Sequence, residues 1–229
     1  MKKIFPALGS ALFALTLLLG LLSGILLAVG ENANLMQDMF LRHADPGITG
    51  VDAQEYPGLA EKITSYLAGR GDTFQTTLSV HGQIREGFSE KEITHMQDVR
   101  NLFSLCRSQF IFCALIVIVV LSLAAFRYRA MLTSLARGYI RVSLFIAVLG
   151  AALAVWAAVD FHTLFTQFHH VFFTNDLWQL NPNQDLLLQL MPTPFFVEYA
   201  ARIGLYWLAG AVLIFAAAIL YLKRRKRQA

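Results

Sequence analysis

Four long apolar runs limit what this chain can fold into. They lie at about Pro6–Val29, Phe110–Phe126, Val142–Val159 and Ile203–Leu222 of the 229-residue sequence. Each run is close to the ~20 residues that a helix needs to cross the hydrocarbon layer of a bilayer. The composition agrees, since 56% of the residues are hydrophobic and only 15% are charged. We therefore predict an all-α membrane protein with four transmembrane helices.

The charges between these runs predict the orientation of the chain. The segment at the amino end, the segment between the second and third runs, and the carboxyl end contain no Asp or Glu. Their cations are Lys2, Lys3, Arg127, Arg129, Arg137, Arg141 and the run Lys223–Arg227. All fifteen acidic residues lie in the two other segments, Gly30–Gln109 and Asp160–Arg202. Because basic loops stay in the cytoplasm, we expect cytoplasmic termini, a topology anchor in the basic tail, and no nucleic-acid partner.

The first apolar run also fits a second interpretation, a secretory signal peptide that follows Lys2 and Lys3. Its apolar stretch is longer than the ~7–15 residues of a signal core. We favour a retained helix, whereas cleavage would leave three spans and an outward amino end.

The sequence divides into eight predicted segments. They are a first transmembrane helix (1–29), an extracytoplasmic cap that runs into the second helix (30–108), a second transmembrane helix (109–126), a cytoplasmic loop (127–141), a third transmembrane helix (142–159), an extracytoplasmic interfacial segment (160–202), a fourth transmembrane helix (203–222) and a basic cytoplasmic tail (223–229). Within the cap, weak alternation over Thr76–Val80 predicts a short strand, followed by a turn at His81-Gly82.

A capping box predicts where the second long helix begins. In Ser89-Glu90-Lys91-Glu92, the Ser hydroxyl caps the helix and Glu92 reaches back to the Ser89 amide. Because nothing breaks the pattern before Arg127, we expect one helix of roughly 35 residues that becomes the second span.

His95 is the first candidate catalytic residue, and it lies on this helix. A rotation of 100° per residue places His95, Val99 and Cys106 on one stripe, with Asp98 one step to the side. Asp98 follows at i+3, where its carboxylate can hold one imidazole tautomer. A surface ion pair is the alternative interpretation. Cys106 and Cys113 are too far apart on a helix for a disulfide, so we expect packing roles and no metal site.

Histidines, aromatic residues and amides are concentrated in the tract Phe168–Pro182. The preceding helical pattern over Leu164–Phe173 has one broad apolar face, which predicts an amphipathic segment in the membrane interface. His169 falls at the edge of that face and is the better catalytic candidate, whereas His170 points away.

Donors and acceptors follow these histidines. Asn175, Trp178 and Asp185 are candidate supporting residues, and a turn with an aromatic anchor is the alternative. Arg107 and Arg202 flank spans on the outward side, where they either snorkel to lipid head groups or bind a substrate oxygen.

Three stretches resemble a known family, the lipoprotein intramolecular transacylases, which are small four-span bacterial membrane proteins. The matching stretches are Tyr66-Leu67-Ala68-Gly69, Gly87–Arg100 with His95, and Phe168–Pro182 followed by Asp185. The resemblance implies a bacterial cytoplasmic-membrane enzyme without a cofactor, whose active site faces the extracytoplasmic side. It implies that the sn-2 acyl chain of a diacylglyceryl-modified lipoprotein moves to the cysteine α-amine.

The same resemblance implies that His95 and His169 form the catalytic pair. Asp98, His170, Asn175, Trp178 and Asp185 are expected to support it, with membrane lipids as further partners. Two alternatives remain from the residues alone. One is a non-enzymatic membrane protein that binds lipid or lipoprotein, and the other is a zinc-dependent membrane hydrolase using the two histidines with Asp98 or Asp185.

Overall fold

The computed structural model describes residues 4–126 and 129–228, and it is 79% helical. Its elements are α1 (Ile4–Gly30), α2 (Ala33–His43), α3 (Pro46–Thr49), α4 (Tyr56–Leu67), β1 (Thr77–Val80), β2 (Gln83–Glu86), α5 (Glu90–Phe126), α6 (Arg129–Val159), α7 (Phe161–Phe172), α8 (Leu186–Leu190) and α9 (Thr193–Arg227), with a 3₁₀ turn at Ala53–Glu55. Four of these helices, α1, α5, α6 and α9, are long and apolar enough to cross a membrane. The predicted four-span, predominantly helical membrane fold is confirmed.

Three of these helices extend well beyond the apolar runs. Helix α6 begins at Arg129, so residues 129–141 are helical rather than the loop predicted above. Its first turns hold no proline and several good helix formers, and helix formation does not require apolar residues. Helix α9 begins at Thr193 because Pro194 lies in its first turn, where no backbone donor is needed. Lys2, Lys3 and Arg127, which support the predicted orientation, lie outside the described residues.

One of two compact units comprises Met1–Ile25, Arg107–Ala158 and Ile203–Ala229. Small side chains and a few hydrogen bonds join its helices, as is usual in lipid. A Cβ on Gly138 would lie 2.5 Å from the Cβ of Ser10, so α1 and α6 approach closely there. Tyr139 donates to the Ala211 carbonyl at 2.9 Å, and the Trp207 indole donates to the Leu18 carbonyl at 3.0 Å.

Both cysteines are free thiols. Cys113 is buried, and its Cβ lies 2.9 Å from where Gly20 would carry one. This contact agrees with the packing role expected for it.

The second unit comprises Leu26–Cys106 and Val159–Arg202. It has a conventional hydrophobic core in which Phe40, Tyr56, Phe74 and Phe195 are almost fully buried. Strand β1 confirms the predicted strand and pairs antiparallel with β2, from Thr77 opposite Glu86 to Val80 opposite Gln83. The sequence did not predict β2 because all four of its side chains are exposed, so it has no buried face to alternate with.

The capping box at the start of α5 is formed as predicted, and it has a second function. The Ser89 amide donates to Glu92 Oε2 at 2.7 Å, and the Glu92 amide lies 3.4 Å from Ser89 Oγ. Glu92 is only 2% exposed, and its other oxygen, Oε1, accepts from the Leu187 amide at 2.6 Å. One carboxylate therefore caps α5 and also fixes the start of α8.

Helix α7 lies in the region where the sequence predicts an amphipathic interfacial segment. The Asp160 side chain accepts from the Thr163 amide at 3.0 Å and caps its amino end. Phe168, Val171 and Phe172 are exposed along the helix, whereas His169 is buried. A helix with exposed apolar side chains of this kind suits a membrane interface.

Candidate active site

The fold brings the two candidate histidines together from distant parts of the sequence. His95 lies on the second turn of α5 and His169 near the end of α7, and their ring centroids are 6.1 Å apart with planes inclined by 35°. Both are buried, with exposed fractions of 7% and 6%. Two imidazoles at this separation can both contact one small reacting group, such as an ester and an adjacent amine.

The tautomer of His169 is fixed by its own helix. Its Nδ1 lies 2.7 Å from the Phe165 carbonyl oxygen one turn earlier. Because a carbonyl only accepts, Nδ1 must carry the proton, and in the neutral ring Nε2 then presents a lone pair. Burial lowers the pKa of His169; the hydrogen bond to Phe165 opposes this effect, and the charge of His170 adds to it. The neutral imidazole is therefore the favoured form near pH 7.

Aromatic rings surround His169 on several sides. The Phe165 ring lies 4.3 Å from it, the Phe168 ring 5.4 Å and the Phe173 ring 5.5 Å between centroids. The Trp178 indole stacks on it at 4.7 Å with an interplanar angle of 30°. Phe173 also meets the His95 ring edge to face at 5.3 Å. The site is thus a polar pair within an apolar aromatic lining.

Two buried nitrogens at this site have no hydrogen-bond partner. Across residues 4–126 and 129–228, the only buried side-chain nitrogens without one are His95 Nδ1 and Trp178 Nε1. A buried polar atom left unpaired costs ~1–3 kcal/mol, and such atoms are rare in folded proteins. Both nitrogens lie at the histidine pair, which indicates that a bound substrate supplies their hydrogen-bond partners.

The loop after α7 is attached to α5 on both sides of Trp178. Asn175 Nδ2 donates to Asp98 Oδ2 at 2.8 Å, and Asn175 Oδ1 accepts from the Leu177 amide at 3.1 Å. On the other side, Lys91 Nζ donates to the Gln179 carbonyl. Asp98 therefore binds Asn175, and it does not reach Nδ1 of His95 as the sequence spacing suggested.

The remaining candidates form other contacts. His170 is exposed and meets only the edge of Trp178, at 5.2 Å. Asp185 Oδ2 accepts from the Asn181 amide at 2.6 Å, which closes the turn before α8. Arg202 donates to Glu198 at 2.9 Å, and Arg107 is half-buried on α5.

Sequence reasoning missed the residues that hold the histidines in place. The carbonyl of Phe165 lies one helical turn before His169, so its role was readable once α7 was assigned. Phe173 and Lys91 act through contacts across the chain, and no local pattern marks such contacts. The described part of the chain contains no group of three or more His, Cys, Asp or Glu side chains that could hold a metal ion.

Comparison with curated protein sequences gives no significant match. Comparison with solved structures finds the membrane integral lipoprotein intramolecular transacylase Lit from Bacillus cereus, at a TM-score of 0.76 and 20% identity over 99% of this chain and 100% of that one. Two further structures of that enzyme, each with one histidine replaced, by Arg and by Ala, match at TM-scores of 0.71. Their identities of 19% and 20% cover 100% of this chain and 96% and 98% of theirs.

The family model described as lipoprotein intramolecular transacylase Lit matches residues 11–196. This range runs from within α1 to the start of α9 and includes both histidines and the loop that carries Trp178. It covers well over half of the chain, and the similar structures share the same four-span fold. The chain is therefore a multi-pass membrane protein that belongs to the lipoprotein intramolecular transacylase (Lit) family.

Proposed function

We propose that this protein moves the sn-2 acyl chain of a diacylglyceryl-modified lipoprotein onto the α-amine of its amino-terminal cysteine. The observation that carries the proposal is the buried pair of imidazoles 6.1 Å apart, one of them with its tautomer fixed. The product is an N-acyl, S-monoacylglyceryl lipoprotein, the lyso form. Family membership supports the acyltransferase class.

The reaction needs no water and no enzyme nucleophile. The neutral cysteine amine attacks the ester carbonyl, which forms a C–N bond and a tetrahedral oxyanion. The C–O bond to the glyceryl oxygen then breaks, leaving an amide and a free sn-2 hydroxyl. One proton moves from the nitrogen to that oxygen, so the atoms and charges balance. Because amine and ester belong to one molecule, holding them in contact supplies much of the acceleration.

His169 is the general base in this scheme. Its Nδ1–H is occupied by Phe165, so its Nε2 lone pair takes the proton from the attacking nitrogen. The resulting imidazolium returns the proton to the departing glyceryl oxygen. His95 Nδ1, buried and unpartnered, accepts the second N–H of the amine and orients the nucleophile. The aromatic lining keeps both rings out of water and the base neutral at the start.

Trp178 supplies a hydrogen bond to the oxyanion. An indole N–H is only a donor, and this one is buried without a partner while its ring stacks on the base. A charge that develops on the ester oxygen would satisfy it, and donors that gain their partner in the transition state accelerate a reaction most. Asn175 and Asp98 have a positioning role, since their hydrogen bond holds the Trp178 loop on α5.

The membrane supplies the substrate and the surroundings. The exposed Phe168, Val171 and Phe172 of α7 lie in the interface, beside the acyl chains of the substrate. Both termini are cytoplasmic and the histidines face the extracytoplasmic side, because the acid-free basic segments lie between and beyond the spans. Arg107 and Arg202 contact lipid or substrate head groups at that surface.

Mass spectrometry of the amino-terminal lipopeptide of one abundant lipoprotein tests the proposal. Cells that lack lipoprotein N-acyltransferase are compared with and without this protein. The expected result is an acyl chain moved to the α-amine at unchanged total mass. His169→Gln is expected to abolish this transfer, while the matched control His170→Gln, on the adjacent exposed residue, retains it.

The same experiment separates the alternatives. An acyl chain that stays on the glyceryl group, with the protein present in the membrane, contradicts the transacylase and leaves a lipid or lipoprotein binder. Release of free fatty acid that a chelator stops would instead support a metal-dependent hydrolase.

A further inference from the structure

The basic tail forms part of a cavity rather than a uniform charged surface. A cavity of about 540 Å³ lies between α6 and α9, and its cations are Arg137 from α6 and Lys223, Arg225 and Lys226 from α9. All four are exposed, and none forms an ion pair among the described residues. Neither α6 nor residues 203–229 contain an acidic residue that could neutralise them.

Apolar groups form the other part of this cavity. Ile219 and Leu222 line it and are half-buried, one turn before Lys223 and Lys226. Helical spacing therefore places apolar and basic side chains in succession along one strip of α9. From α6, Thr133 adds a hydroxyl that lies 3.4 Å from the Tyr221 hydroxyl.

The helix divides the basic tail into two sets. Arg224 and Arg227 are exposed cations of the same tail, but they do not line the cavity. If the tail served only to orient the chain in the membrane, its five cations would be equivalent, because that bias depends on the number of charges near the span. Only three of these five cations line the cavity, together with Arg137 from α6.

We propose that this cavity binds the phosphate of an anionic phospholipid, with the lipid chains continuing along the apolar strip of α9. Guanidinium groups bind phosphate in a two-pronged geometry, and lysines add point charge. Basic pockets between membrane helices commonly hold anionic head groups. The apolar part of the lining favours a lipid over free phosphate, which has no chains to place there.

Native mass spectrometry of the full-length protein, titrated with phosphatidylglycerol or phosphatidylcholine, tests this site. Arg137→Gln/Lys226→Gln is compared with Arg224→Gln/Arg227→Gln, which removes the same charge from outside the cavity. We expect the cavity variant to bind phosphatidylglycerol about thirtyfold more weakly. The control variant should bind like the wild type, and phosphatidylcholine should bind weakly to all three proteins.

Several outcomes would overturn the proposal. Equal weakening in both double variants indicates diffuse attraction to the tail, and unchanged binding in the cavity variant indicates another site. Displacement of the lipid by millimolar inorganic phosphate indicates a free-anion site. If the double variant does not accumulate, the single Lys226→Gln is expected to weaken binding in the same direction. The readout is lipid occupancy, so it is independent of whether the protein transfers acyl chains.

Discussion

The two histidines of the site are held by supports of different kinds. His95 lies near the start of a 37-residue helix whose first turn is fixed by the buried Glu92, and its Nδ1 makes no hydrogen bond. His169 lies on a helix of 12 residues that exposes much of its surface, and its Nδ1 is bound to its own backbone. The difference indicates a division of function, in which α5 gives an accurate position and α7 gives a defined tautomer.

Removing each imidazole in turn is expected to have the largest effect. We expect His95→Gln and His169→Gln each to lower the rate by ~10²–10⁴-fold, the usual contribution of a positioned acid or base. If the rings act as one unit, the double variant loses little more than the worse single variant, since such groups are non-additive. Single-turnover rates on a synthetic diacylglyceryl lipopeptide give these values. Independent, multiplicative losses would contradict the joint role.

Replacing Trp178 tests whether this residue contributes its indole N–H to the reaction or only packs against His169. Trp178→Phe keeps a ring against His169 and removes the N–H, so we expect a loss of ~10²-fold in kcat with little change in KM. A benzothienylalanine at this position, which has sulfur in place of the N–H, is the closest matched control. If that analogue keeps full activity, the indole acts through packing alone.

Replacing Glu92 tests how strongly its hydrogen bonds stabilise the start of α5, where His95 lies. Glu92→Gln leaves one buried acceptor in place of two, so either the Ser89 or the Leu187 amide loses its partner. We expect a loss of ~1–3 kcal/mol in the free energy of unfolding, seen as a lower thermal midpoint in detergent. The exposed neighbour Glu90→Gln is the control and should leave the midpoint unchanged. Equal midpoints for the two variants would mean that the bridge to α8 contributes nothing.

The smallest expected effect concerns the surroundings of His169. Burial lowers the pKa of this residue, so the base stays neutral, and activity persists, below the ordinary histidine pKa of ~6.5. Trp178→Ala admits water and raises the pKa, so the acid limb of kcat moves to higher pH. Trp178→Phe, which keeps the ring, moves it less. An acid limb that is the same in the wild type and Trp178→Ala would mean that another group controls it.

Local patterns were sufficient to predict the four spans and the start of α5. Apolar length marked the four spans, and the Ser89–Glu92 spacing marked the cap, because each signal lies within one element. The helical projection also favoured His169 over His170, and the structure buries the first and exposes the second. The catalytic roles of His95 and His169 remain predictions.

Other features depended on contacts between distant residues and were not predictable in this way. Asp98 lies at the right spacing for His95, yet Asn175, far along the chain, binds it. His95 Nδ1 and Trp178 Nε1 lack a partner because of the residues that pack around them, and the spacing of residues in the sequence does not show this packing. Strand β2 has no buried face. The start of α6 was assigned to a loop because of its cations, although Leu135 and Tyr139 are buried at helical spacing.

The aromatic lining around the two imidazoles has a chemical consequence for selectivity. An activated acyl ester beside a general base is open to hydrolysis, and water is the most abundant competing nucleophile in the cell. In the proposed reaction, the rings on several sides of His169 limit the directions from which water can approach it. We therefore propose that the rings that lower the pKa of His169 also favour attack by the tethered amine, and hence an amide product, over release of a free fatty acid.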